Sequence, residues 1–396
     1  MKKIGIIIII IMVCILFLSG SCSKAVEQTD NRWSATADGM VQALIQNFWG
    51  DSFKDTPSRY YFNYQSQMAY MTTEHYWPQA HAMDVIIDAY LRTGDKKYLD
   101  FYPKWWEGAP KYNPSGREED PWWNVYVDDL EWIVLTQLRM YETTSNTIYL
   151  EKAKQMFNQW IWPTWGPDDE APWYGGVTWK VDVQKSKNAC SNGPAAIIAA
   201  RLAQFGKASH EDSQSADYLN KAQQIYSWER KTLFDEETGA VNDNIGQSGK
   251  VNHSVFTYNQ GTFIGAAHEL YKLTGDKQYL DDAVKASYYV IRNMSNHGGA
   301  LSDATHGDGG LFHGIFFRYF VRLINEEALD KVIRKEFHDY LTGLATIMVE
   351  QGLNHQTMLY GGSWHKALSN DEIANLTPQL SGCMLMEAMC VMKAVE

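Results

Sequence analysis

The chain has 396 residues, of which 45% are hydrophobic and 13% aromatic, and its formal net charge is -12. That is enough apolar mass for a large core. No block of lysine or arginine offers a footprint for a phosphate backbone, which excludes nucleic acid as a partner, whereas an acidic surface is indifferent to an uncharged sugar.

In chain order, Lys2 and Lys3 precede an apolar run from Ile4 to Leu18 that is short for a membrane span. The small residues Ser19, Gly20 and Ser21 then lead to Cys22. Residues 1–21 read as a lipoprotein signal peptide, Cys22 as the lipidated residue, 22–32 as a tether and 33–396 as one catalytic domain. The expected location is the cell envelope, on the outer membrane, facing either the periplasm or the outside. Contact with the membrane is expected only through the lipid. Of the five cysteines, Cys14 and Cys22 fall in the leader. Cys190, Cys383 and Cys390 form no CxxC and read as buried thiols. The histidines show no HExxH spacing, so neither a metal nor another cofactor is expected.

Beyond Arg32 the apolar residues recur at three- and four-residue steps. They predict helices at 35–48, 78–92, 96–106, 128–143, 147–160, 191–205, 215–232, 259–274, 277–294, 312–325, 330–350 and 378–394. "TGDKKYLD" at Thr93–Asp100 returns as "TGDKQYLD" at Thr274–Asp281, with weaker echoes ending at Ala153 and Ala222. In each echo a turn is expected to end one helix, and the Tyr-Leu to start the packed face of the next. Tyr98, Tyr149, Tyr218 and Tyr279 are 51, 69 and 61 residues apart, a solenoid-type period. Twelve helices in six hairpins predict an all-α fold, an (α/α)6 toroid. The even-numbered helices open on "HYWPQAHAMD", "NVYVDDLEW", "NACSNGPAA", "TYNQGTF", "GDGGLFHGIFFRYF" and "LTPQLSGCM". They read as the inner ring, with their N-termini around one mouth. Such termini present N–H groups and a positive dipole end that help to hold carboxylates ionised.

The most informative segment is "WWNVYVDDLEW" at Trp122–Trp132. Asp128 and Asp129 sit there among aromatic residues. By contrast, Asp281 and Asp282 read as an exposed first turn, and Asp168 to Glu170 as a loop. Two carboxylates suit glycoside hydrolysis, because one protonates the leaving oxygen while the other meets the oxocarbenium-like carbon. Adjacent residues cannot spread far apart, which favours retention through a covalent intermediate. Their repulsion raises one pKa and supplies an acid. The bland reading of such a dipeptide is that Asp128 caps a helix and Asp129 fills its first turn. Trp77, Gln79, Trp123, Asn192, Tyr258, Gln260, Asp308 and Trp364 read as sugar-binding candidates, since rings stack on pyranose faces and amides and carboxylates pair with hydroxyls.

On "VDDLEW", "GGVTWK" (Gly175–Lys180), "NACSNGPAAIIAARL" (Asn188–Leu202), "YNQGTFIGAA" (Tyr258–Ala267), "HGIFFRYF" (His313–Phe320) and the closing "SGCMLMEAM", the chain resembles glycoside hydrolase family 76, the bacterial endo-α-1,6-mannanases. The resemblance covers essentially the whole region after the tether. It implies the (α/α)6 toroid, Asp128 as nucleophile and Asp129 as general acid/base. It also implies hydrolysis of an α-1,6-mannan backbone with retention, by a monomer whose partner is an α-mannan oligo- or polysaccharide. Two positions depart from the family pattern: His313, where Lys is common, and Cys190, where small residues are common. A transglycosylase on the same fold and a non-catalytic mannan-binding surface lipoprotein are the competing readings.

Overall fold

The structure is a computed structural model and describes residues 31–52, 59–65, 76–166, 169–183 and 185–395. The signal peptide, Cys22 and the tether up to residue 30 lie outside the described residues.

Among those residues there are twelve α-helices: α1 Ser34–Phe48, α2 Trp77–Thr93, α3 Phe101–Gly108, α4 Val127–Thr144, α5 Thr147–Met156, α6 Ala189–Ala208, α7 Asp212–Thr232, α8 Thr257–Thr274, α9 Lys277–Tyr289, α10 Gly309–Ile324, α11 Lys331–Ile347 and α12 Leu376–Val391. Each expected helix is present. The third starts later than its periodicity suggests. Pro103 lacks an N–H and is tolerated only in a first turn, so residues Lys96–Asp100 form a tighter 3-10 segment and the α-helix begins at Phe101.

The even-numbered helices form a closed ring. α2 packs on α4, α4 on α6, α6 on α8, α8 on α10, α10 on α12, and α12 returns to α2. The odd-numbered helices lie outside them, with α5 on α4, α7 on α6 and α9 on α8. Burial follows the same division. Every residue of α12 except Val391 is buried, whereas α11 buries only Phe337, Leu341, Leu344 and Ala345. An inner helix is therefore buried all round, polar residues included, while an outer helix buries only a stripe.

The sequence echo is a turn that leads from an inner helix to the next outer one. Gly94 and Gly275 end α2 and α8 in the left-handed region, with φ of 68° and 72°. Asp95 then accepts from Lys97 N, and Asp276 from Gln278 N, each at 3.0 Å. Ser145 and Asn146 do the same between α4 and α5. The Tyr218 echo differs, because Tyr218 lies well inside α7 rather than after a turn. At the opposite end, long loops lead from outer to inner helices. They carry the antiparallel strands β1 Lys187–Asn188, β2 Asn244–Ile245 and β3 Val251–Asn252, with Asn188 opposite Asn244. The barrel thus has a floor of tight turns and a mouth of long loops.

Candidate active site

The mouth holds a cleft of about 640 Å³ lined by residues near the N-termini of five inner helices and by loop residues. α2 contributes Trp77, α4 contributes Tyr126, Asp128, Asp129 and Trp132, and α6 contributes Asn188 and Cys190. α8 adds Phe256 and Tyr258, and α10 adds Asp308 and Phe312, while Trp179, Ser186, Asp243 and Asn244 come from the loops. Tyr258 and Phe312 stack with centroids 4.0 Å apart, and the Trp77 indole N–H donates to Asp308 Oδ1 at 3.1 Å. Among the described lining residues there is no lysine, arginine or histidine.

Asp128 does not cap α4. The cap is Tyr126, in extended geometry, and the Val127 N–H is taken by Trp179 O at 2.9 Å. Asp128 and Asp129 therefore occupy the first turn, where N–H groups face outward. Loss of solvation pushes the Asp128 carboxyl up to about 7, against hydrogen bonds from Cys190, the backbone of residues 128 and 129, and Trp179. Loss of solvation also raises Asp129 well above the carboxylate range, and the charges of Asp128 and Asp308 add to it. Donors favour the ionised form at Asp128, and like charges disfavour it at Asp129. Behind Asp128, Glu131 is fully buried, neither of its oxygens has a partner, and burial with the charges of Asp128 and Glu229 raises it as well.

Of the ten carboxyl, amide and aromatic residues picked out from the sequence, the cleft gathers Asp128, Asp129, Trp77, Tyr258 and Asp308. The other five lie elsewhere. Gln79 accepts from Tyr61 N and donates to Tyr61 O, both at 2.9 Å. Asn192 grips Val177 N and O in the same way, at 2.9 and 3.1 Å. Gln260 holds Val241 N and Gly239 O. Each amide is buried and fastens a mouth loop to an inner helix, which satisfies both partners. Gln379 of α12 repeats the device on Tyr360 N and Met358 O. Trp123 stacks under the Arg117 guanidinium at 3.5 Å. Trp364 is buried, and its indole N–H points to Ser302 O. Asp282, expected in solvent, is also buried and binds Tyr226 and Arg230.

The sequence reading missed Tyr126, Trp132, Trp179, Asn188, Asp243, Asn244, Phe256 and Phe312 as lining residues. Trp132, Trp179 and Asn188 stand inside the motifs that carry the family resemblance. Asp243 and Asn244 reach the cleft through the pairing of β1 with β2, and two-residue strands leave no alternation to read.

A buried acid pair in an aromatic, cation-poor mouth of an α/α barrel defines a glycoside hydrolase site. The sequence model for glycosyl hydrolase family 76 matches residues 32–396, and the chain belongs to that family. A search of curated proteins returned no match. Among solved structures, the chain is similar to an inactive variant of an α-1,6-mannanase of Salegentibacter sp. HEL1_6 in complex with α-1,6-mannotriose, at 34% identity and a TM-score of 0.80. The match covers 91% of this chain and 99% of that one, and the variant replaces two consecutive aspartates by asparagine. The unsubstituted Salegentibacter enzyme matches at 34% identity and a TM-score of 0.79, over 91% and 99% of the two chains. A protein of Listeria innocua matches at 29% identity and a TM-score of 0.77, over 90% and 96%.

Proposed function

We propose that this chain is a retaining endo-α-1,6-mannanase. The observation that carries the reading is the Asp128–Asp129 pair, which stands in the cleft in two unlike environments. Two consecutive aspartates are also what the inactive Salegentibacter variant lacks. Asp128, ionised and supplied with donors, attacks the anomeric carbon while Asp129 gives its proton to the leaving oxygen. Asp129, now a base, takes a proton from the water that releases the glycosyl group from Asp128. Trp77 and the Tyr258–Phe312 stack offer ring faces to pyranoses, and Asp243 and Asp308 accept sugar hydroxyls. A cleft whose described lining holds no cation suits a neutral chain better than a uronic acid. Export and lipid attachment at Cys22 belong to the same proposal, since a polymer must be met outside the cytoplasm.

The test is release of reducing ends from debranched α-mannan. The wild-type protein is expected to cut it into oligosaccharides, and Asp128→Asn to release none while keeping its circular dichroism and melting temperature. Turnover by Asp128→Asn would sink the assignment. Binding of mannan by the wild-type protein without any product would favour a non-catalytic role.

A further inference from the structure

The inner helices α8 and α10 meet along a seam of small residues. A Cβ on Gly261 would lie 2.7 Å from the Phe316 backbone, and one on Gly265 would run into the Tyr319 ring, so glycine lets the two helices come this near. At the mouth end of the seam each helix presents two consecutive residues, and they pair twice. Tyr258 and Phe312 stack in the cleft, with centroids 4.0 Å and planes 14° apart. The adjoining residues, Thr257 and His313, are buried, and the Thr257 hydroxyl lies 2.8 Å from His313 Nδ1. The other ring nitrogen, Nε2, lies 2.9 Å from Ser302 O. A carbonyl only accepts, so Nε2 carries the hydrogen, and in the neutral ring Nδ1 accepts from the Thr257 hydroxyl. Burial lowers the imidazole below its ordinary range against the opposing pull of the Asp303 carboxylate, which keeps the ring neutral.

We propose that His313 is a positioning residue for the substrate, which through Thr257 fixes α8 against α10 and so holds the Tyr258 and Phe312 rings in the register on which a pyranose stacks. The inference rests on the reading of those rings as part of a mannan-binding cleft. The strength of a stack depends on the offset and angle of its members, and these two rings come from different helices. An apolar seam allows two helices to slide and turn against each other, whereas a hydrogen bond has a preferred direction and length. Near the floor Arg322 of α10 reaches Glu269 of α8. At the mouth the Thr257–His313 bond does the equivalent, one residue away from the stack on each helix. Ser302 sets the tautomer that lets Nδ1 accept, as a partner on the far nitrogen does for a histidine generally. The Trp364 indole also donates to Ser302 O, at 3.4 Å, and Trp364 N donates to Asp303 Oδ1 at 3.0 Å. The loop that leads to Asp308 is thus tied to the same imidazole from one side and to Trp364 from the other.

Four variants separate this role from packing. His313→Ala removes both bonds of the ring, while Thr257→Val keeps the shape of the threonine and removes only its donor. Each should raise KM for debranched α-mannan about five- to tenfold and leave kcat nearly unchanged, because the acid pair stands on α4. The double variant should be no worse than the worse single one, since both break the same link. An asparagine places its amide oxygen about where Nδ1 stood, and a glutamine places its amide about where Nε2 stood. His313→Asn should therefore restore KM, and His313→Gln should not. Nitrogen NMR of the wild-type protein reads the ring without turnover and should show the neutral form with its hydrogen on Nε2. Losses that add in the double variant, a fall in kcat at unchanged KM, rescue by glutamine equal to that by asparagine, or a hydrogen on Nδ1 overturns the proposal. If His313→Ala does not fold, Thr257→Val and the asparagine and glutamine variants carry the test by the same criteria. Absence of hydrolysis by the wild-type protein, with the ring in the expected form, would instead mark failure of the functional assignment itself.

Discussion

The mouth and the deeper barrel treat buried acids in opposite ways. Away from the mouth, in the middle of the barrel, Asp84 meets both Arg139 and Arg318, and nearer the floor Glu269 meets Lys272, Arg201 and Arg322. Burial alone would raise both carboxyls, but the cations overcome it: Asp84 is held below its ordinary range and Glu269 at about 2. At the mouth the same burial acts on Asp128, Asp129 and Glu131 with no cation among the described residues to answer it, and all three are raised. Glu387 shows where the balance tips. Burial outweighs its arginine partner Arg92, and its carboxyl rises to about 7. The number of guanidinium or ammonium groups around a carboxyl, not its depth, decides whether it serves structure or can exchange a proton. Perturbed acids of the second kind concentrate where chemistry is done.

The comparison can be broken by single substitutions. After the complete loss expected of Asp128→Asn, the largest effect is expected from Asp129→Asn, which removes the acid and should lower kcat on mannan by about 10²–10⁴-fold. Wild-type kcat in that variant would make the mouth pair merely structural. Next, Asp84→Asn takes from Arg139 and Arg318 one of the two carboxylates they share, leaving them Asp88, and chemical denaturation should show a loss of about 1–3 kcal/mol. A loss no greater than that of an exposed aspartate would mean that the network is idle.

The third prediction joins the two regions. A carboxyl raised in the fold binds its proton more tightly there than in the unfolded chain, so it costs stability as pH climbs from the ordinary carboxylate range towards its folded value. Asp129→Asn should therefore gain on the order of 1–3 kcal/mol at pH 7, with the gain shrinking towards pH 4. The deeper acids run the other way. Their contribution is present above the ordinary carboxylate range and is lost as pH falls through the lowered folded values, for Glu269 between 4.5 and about 2. Urea titrations of wild type and variant across this range would reveal in Asp129 the slope of the deeper acids if the account is wrong. The smallest effect is expected at Trp77→Ala, a weakening of KM by about fivefold from loss of one stacking face, with kcat nearly unchanged.

Much of the barrel was legible from periodicity. An inner helix such as α12 and an outer helix such as α11 differ in how far round the apolar residues extend, and the Gly-Asp turn announces where one ends and the next begins. The acid pair was legible for a related reason, since Asp128 and Asp129 stood among tryptophans while other acidic pairs did not. The amides were not. Gln79, Asn192 and Gln260 carry a real, repeated signal at the inner N-termini, but a side-chain amide that binds a backbone and one that binds a sugar look alike in a sequence. Asp243 and Asn244 were hidden for a different reason, because their place depends on a strand pairing only two residues long.

The central claim is that Asp128 forms the covalent bond and Asp129 moves the proton. The most direct measurement is the anomeric configuration of the azide product when alanine variants act, in the presence of sodium azide, on an aryl α-1,6-mannobioside with a good leaving group. With Asp129→Ala, azide should intercept the glycosyl-enzyme and yield the α-mannosyl azide. With Asp128→Ala, azide should stand in for the missing nucleophile and yield the β-mannosyl azide. The reverse pair of products would exchange the two roles, and absence of azide adducts from both variants would contradict the double-displacement account.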